Sequence, residues 1–171
     1  MEEIIIEKNC LYKTKYNGDL NSLDKQINHL IEFDKGRKVS NIGGYQSNFI
    51  NFGFDELLSF VLNDAKNIPL LKDKKFKLAG FWLNVNKGHH YNSIHVHAIQ
   101  TLSVVYYHKI CCDKTPIVFT SHVPYISQHM VKFTPEEQDI IYFDGMQPHF
   151  VESCNQEEHT RISIAFNLDL Y

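Results

Sequence analysis

The chain is expected to fold as a mostly β sandwich or barrel braced by N-terminal helices. Three observations carry that expectation. Between about residues 20 and 66, two segments repeat their apolar residues every three or four positions, the helical period. From Phe76 onward, short runs rich in Val, Ile, Phe and Tyr alternate with Gly, Pro, Asn and Asp, the grammar of strands and turns. No repeat, low-complexity tract or linker divides the 171 residues, and 43% of them are hydrophobic, so 1–171 reads as a single domain with a real core.

In chain order, Ile4–Ile6 is a short candidate strand. The segment DLNSLDKQINHLIEFDKG places Leu23, Ile27, Leu30 and Ile31 on one helical face, with Asn21 or Ser22 as cap and Gly36 as stop. A polar, Gly-rich stretch follows. Its Gly43-Gly44 pair has neither the P-loop lysine nor the three-glycine dinucleotide pattern, so it reads as a turn. DELLSFVLNDAK then aligns Leu57, Leu58, Val61, Leu62 and Ala65 as a second helix. Eight candidate strands follow at 77–86, 93–99, 102–110, 116–121, 129–133, 139–144, 149–154 and 160–168.

Charge and cysteine usage remove several function classes. The net charge of -3, from 17 basic and 20 acidic residues, provides no basic footprint, so nucleic acid is not a favoured partner. The four cysteines lack CxxC spacing, which excludes a zinc finger or disulfide scaffold, and Cys111-Cys112 read as loop or strand-end thiols. MEEIIIEKN, a short apolar run flanked by acids, reads unlike the basic and long apolar regions of a signal sequence, and no apolar run approaches the length of a membrane span. A soluble cytoplasmic protein, monomer or homodimer, is expected.

Ten histidines stand out. His95 and His97 lie one residue apart in the candidate strand SIHVHAI, where alternation points both imidazoles to one side, roughly 6–7 Å apart at the backbone. The pair either chelates one metal ion with a third ligand or merely shares a face. His149 follows the turn DGMQP, where an antiparallel return brings it opposite the pair. Such a three-point cap leaves coordination positions open. Further on, Arg161, Ser163 and Ala165 share one face of TRISIAFNL, and Ile162, Ile164 and Phe166 the other. An inward arginine needs an anion: either a salt-bridged acid, or a ligand carboxylate clamped with help from the Ser163 hydroxyl. Arg37, in a polar stretch, is expected to be solvated. His89 and His90 read as loop residues, and His29, His108, His122, His129 and His159 as packed or exposed. Asp144 is expected to cap its turn and is the alternative carboxylate if His97 turns away.

Taken in order, GGYQSN at 43–48, WLNVNKGHHYNSIHVH at 82–97, LSVVYYHK at 102–109, YFDGMQPHFVES at 142–153 and RISIAFN at 161–167 resemble a family of small Fe(II)- and 2-oxoglutarate-dependent oxygenases. These occur in tailed phages, especially cyanophages, and in bacteria. The likeness spans about residues 40–168. It implies a double-stranded β-helix (a cupin-like jelly roll), Fe(II) held by His95, His97 and His149, and 2-oxoglutarate as cosubstrate. The cosubstrate's C5 carboxylate would pair with Arg161, with Ser163 beside it. Tyr106 or Asn84 either donates a hydrogen bond to the cosubstrate or packs in the core with a satisfied polar tip. The implied activity is hydroxylation of a small molecule or protein side chain, with decarboxylation of 2-oxoglutarate to succinate, in a host cytoplasm if phage-encoded.

Two departures qualify the likeness. His97 stands where the broader superfamily generally has a carboxylate, which leaves the charge of Fe(II) uncompensated by protein ligands and also suits zinc. Val104 stands where the nearest relatives usually have glycine. Two other readings follow: a three-histidine cupin-like metalloenzyme that does not use 2-oxoglutarate, and a non-catalytic jelly-roll binding or structural module.

Overall fold

In the computed structural model, residues 10–72, 74–110, 115–121 and 130–171 are described. The expected strand at Ile4–Ile6, Cys111, Cys112, His122 and His129 lie outside them. Helix α1, Leu20–Phe33, begins one residue earlier than its expected caps: the Asp19 carboxylate accepts from the Ser22 backbone N–H at 3.1 Å. Leu23, Ile27 and Leu30 are buried, but Ile31, at the edge of this narrow stripe, is 39% exposed. Helix α2, Asp55–Ala65, starts after Phe54, whose left-handed backbone (φ 61°) is anchored by its N–H on Gln26 Oε1 of α1. Asp55 and Glu56 suit the positive end of the helix, and Leu57, Val61 and Ala65 are fully buried.

The described strands number eleven: β1 Tyr12–Lys15, β2 Asn41–Ile42, β3 Tyr45–Gln46, β4 Phe76–Lys87, β5 Tyr91–His95, β6 Thr101–Ile110, β7 Ile117–Thr120, β8 Met130–Phe133, β9 Asp139–Asp144, β10 His149–Val151 and β11 Thr160–Leu170. The first three were not expected, since runs of two to four residues are too short to display alternation. All pairings are antiparallel, in a six-stranded sheet ordered β1-β9-β6-β11-β4-β3 and a five-stranded sheet ordered β2-β5-β10-β7-β8. This is the expected jelly roll.

Central strand β11 explains the layering. Ile162, Ile164, Phe166 and Leu168 pack toward the helices in a core shared with Leu23, Ile27, Leu57, Val61, Phe81 and Leu83. Each such fully buried aliphatic side chain contributes about 1.5–3 kcal/mol. A smaller cluster of Tyr107, Ile117, Phe119, Ile141, Phe143 and Val151 forms on the other side of the large sheet. Arg161 and Ser163 point into the cavity there, so polar chemistry is confined to one face of an otherwise apolar strand. No helix among the described residues is long and apolar enough to cross a membrane.

Candidate metal centre and anion pocket

The two strands of the small sheet that carry His95 and His149 pair directly, with His149 opposite His95. Two residues further along β10, Val151 faces Asn92, three residues back on β5. That bulge turns Asn92 and His95 to the same cavity despite their odd spacing. Strand β5 ends at His95, so the expectation that 93–99 forms one strand fails at Val96. The His97 N–H instead donates to the Gly145 carbonyl at 2.6 Å, in the turn after β9. The rings still converge: one ligand atom from each of His95, His97 and His149 lies within 4.8 Å of the others. Asp144 stays exposed and caps its turn, accepting from the Met146 N–H at 2.8 Å, and no carboxylate of the described residues joins the cluster.

Each imidazole is oriented through Nδ1. His95 Nδ1 lies 2.7 Å from the Ser93 carbonyl, His149 Nδ1 2.8 Å from the Gln147 carbonyl, and His97 Nδ1 2.7 Å from Asn167 Oδ1. Carbonyl oxygens only accept, so each Nδ1 carries the proton and each Nε2 keeps a lone pair for a metal ion. Asn167 is the site residue that the sequence reading missed, although it continues the inward series Arg161, Ser163, Ala165. Trp82 stacks on His97 at 5.8 Å between ring centroids, and Phe143 packs edge-on against His149 at 4.8 Å.

Burial, reinforced by repulsion from His95, pushes His97 down to about 4 and His149 to about 3 from the ordinary 6.5; burial lowers His95 as well. All three are therefore neutral at pH 7, the form that binds metal. In the unfolded chain these imidazoles protonate below pH 6.5, whereas in the folded chain His97 resists until near pH 4 and His149 until near pH 3, with His95 shifted in the same direction. The folded state is thus unpenalised above pH 6.5 and loses stability as pH falls below it, by about 1.4 kcal/mol per unit per imidazole. Urea unfolding of chelator-treated protein at pH 7 and pH 5 is expected to give a lower midpoint at pH 5, with His149→Gln flattening the slope.

At the far end of the same cavity, Arg161 is 3% exposed. Its Nη1 donates to the Thr115 carbonyl at 2.6 Å and its Cζ lies 5.0 Å over the Tyr107 ring. No carboxylate of the described residues pairs with it, and burial lowers its pKa from the usual arginine value. Ser163 faces Asn84 across the β11–β4 ladder, and both line the cavity with Ser103. Asn84 Oδ1 and Ser103 Oγ are buried without a hydrogen-bond partner among the described residues. Asn92, which lines the cavity, is held from behind by a chain of amides in which Asn41 donates to Asn86 at 2.7 Å and Asn86 to Asn92 at 3.1 Å. The cavity volume is about 40 Å³, room for bound water between the histidines and Arg161.

Tyr106 is a correction. It faces the helices, packs on Tyr16 at 5.5 Å between centroids and places its hydroxyl 3.2 Å from His108 Nδ1. The tyrosine beside Arg161 is Tyr107, because Ser103, Val105 and Tyr107 form the inward series of β6. Arg37 is another: far from being simply solvated, its Cζ lies 4.2 Å over Phe49 and 5.8 Å over Trp82. Among the other histidines, His108 pairs with Asp24 at 2.8 Å, His29 packs on Phe33, and His90 Nδ1 accepts from the Lys87 N–H.

No protein-family model and no curated protein matches the sequence. Solved structures do match the fold. The chain is similar to a Pseudomonas putida prolyl-4-hydroxylase, with TM-score 0.66 and 13% identity over 94% of this chain and 92% of that one. It is also similar to the viral collagen prolyl hydroxylase of Paramecium bursaria Chlorella virus-1 in complex with 2OG, with TM-score 0.62 and 13% identity over 92% and 94% of the two chains. The α-ketoglutarate-dependent epimerase SnoN of nogalamycin biosynthesis matches at TM-score 0.69 and 10% identity, over 87% of this chain and 71% of that one. The chain therefore has the jelly-roll fold found in 2OG-Fe(II) oxygenases, and within it three histidines that could hold a metal ion.

Proposed function

We propose that the protein is an Fe(II)- and 2-oxoglutarate-dependent oxygenase that hydroxylates an organic substrate as 2-oxoglutarate is converted to succinate and carbon dioxide. The observation that carries the reading is a buried arginine with no acid partner among the described residues, sharing one cavity with three convergent neutral imidazoles. Both groups suit the absent ligands: three Nε2 lone pairs for a divalent ion, and a guanidinium beside unpartnered polar atoms for a carboxylate.

His95, His97 and His149 would hold the metal on one face, and Arg161 with Ser163 would hold the distal carboxylate of the cosubstrate. Asn84, opposite Ser163, offers its amide to the same carboxylate. Iron and 2-oxoglutarate supply dioxygen activation when bound. Trp82 covers one face of His97, and Phe143 packs edge-on against His149. With no protein carboxylate in the cluster, charge balance at the metal falls to the cosubstrate dianion.

The finer reading is a phage- and bacteria-type enzyme, one domain over 1–171, acting in the cytoplasm as a monomer or homodimer. Its substrate is a small molecule or a protein side chain, since the net charge of -3 gives nucleic acid no electrostatic footing. The all-imidazole donor set also fits a metalloenzyme that does not use 2-oxoglutarate, and Arg161 decides between the two. Anaerobic reconstitution with Fe(II) and 2-oxoglutarate, followed by oxygen, is expected to yield succinate by mass spectrometry. Absence of both succinate and 2-oxoglutarate binding would overturn the oxygenase reading.

A further inference from the structure

A second guanidinium lies at the opposite end of the site. Along the β4–β11 ladder, Asn86 faces Arg161, Asn84 faces Ser163, Trp82 faces Ala165 and Gly80 faces Asn167. From Asn86 to Gly80 this ladder runs roughly 20 Å, from the buried arginine past the level of His97, which touches both Trp82 and Asn167. The Phe49 ring lies on Gly80, where an added Cβ would stand 3.0 Å from it, and meets Trp82 edge-on at 5.9 Å between centroids. Arg37 rests over both rings, so two contacts of 5.8 Å, Arg37 to Trp82 and Trp82 to His97, link it to the metal side of the cavity.

This arginine is held in place and is not neutralised. Gly36 takes a φ of +70°, and the Arg37 N–H donates to the Gln46 carbonyl at 2.7 Å. The nearby Asp34 is engaged elsewhere, accepting from the Gly36 N–H, the Asn48 N–H and side-chain amide, and the Tyr45 hydroxyl. No acid of the described residues forms an ion pair with Arg37, and its Nε is buried without a partner among them. A guanidinium lying over aromatic faces keeps its in-plane N–H edge free for a bidentate oxyanion.

We propose that Arg37 binds the carboxylate of the prime substrate, a small organic acid whose charged end rests at this aromatic rim while a C–H further along reaches the metal. The inference rests on the oxygenase reading. With a net charge of -3 the protein exerts no overall pull on anions, so recognition of an acid must be local.

Trp82 is the only tryptophan of the chain, so its fluorescence reports on this rim. The test titrates Zn(II)- and 2-oxoglutarate-loaded protein with N-acetylvaline and its neutral amide, up to about 10 mM, a range suited to weak fragment binding. The carboxylate is expected to give a saturable change and the amide none. Arg37→Gln should weaken the carboxylate at least tenfold and Arg37→Lys less, with 2-oxoglutarate affinity by calorimetry unchanged and far-UV circular dichroism confirming the fold. Equal affinity in wild type and R37Q, an equal response to the amide, or no saturable response overturns the proposal. If 2-oxoglutarate does not bind while the acid still depends on Arg37, the rim site stands and the cosubstrate reading falls.

Discussion

His149→Ala is expected to lower divalent-metal affinity by at least about 100-fold, because partners that merely orient ligands are typically worth 10–100-fold and His149 itself supplies a donor atom. The geometry leaves no substitute. The described cluster holds only three ligands, and Asp144, the nearest carboxylate considered from sequence, stays exposed on its own turn. Asn167→Leu is expected to give the smaller loss, about 10–100-fold, since it leaves all three nitrogens in place but frees His97 to rotate or change tautomer. Competition with a chromophoric chelator, using Zn(II) and Mn(II), measures both variants. Wild-type affinity in His149→Ala would mean that the metal binds elsewhere.

How much of the site is legible in the sequence depends on the residue. The two faces of β11 were legible because polar and apolar residues alternate along it, and Arg161 and Ser163 lie where that alternation puts them. Asn167 was one step further along the same series. His95 and His97 converge, yet not through a continuous strand: a bulge turns His95 inward and a hydrogen bond to Gly145 places His97. Bulges and turn contacts depend on partner strands, which periodicity within one segment does not encode. Tyr106 and Tyr107 show the same limit, since a period of two says that they face opposite ways but not which faces the cavity. Arg37 was illegible because Phe49 and Trp82, the rings that hold it, come from other parts of the chain.

Arg161→Met should separate stability from function by moving them in opposite directions. A buried guanidinium without a counter-charge costs several kcal/mol of desolvation, offset here by the bond to the Thr115 carbonyl and by the Tyr107 face. Methionine fills much of the same volume without the charge, at the expense of leaving that carbonyl unpaired, about 1–3 kcal/mol. The Zn(II)-loaded, cosubstrate-free variant is therefore expected to melt a few degrees above wild type in the same state, given about 2–4 °C per kcal/mol for a chain of this size. Saturation with 2-oxoglutarate should reverse the order. Wild type at 100 times its Kd gains about 2.7 kcal/mol, whereas the variant, having lost two charge-assisted hydrogen bonds of about 1.5–3 kcal/mol each, binds at least about 100-fold more weakly and gains little. Thermal melts of the Zn(II)-loaded proteins with and without 2-oxoglutarate test the crossing. A variant that melts below wild type in both conditions would mark Arg161 as a structural cation, and one stabilised equally by 2-oxoglutarate would remove the carboxylate clamp from this site.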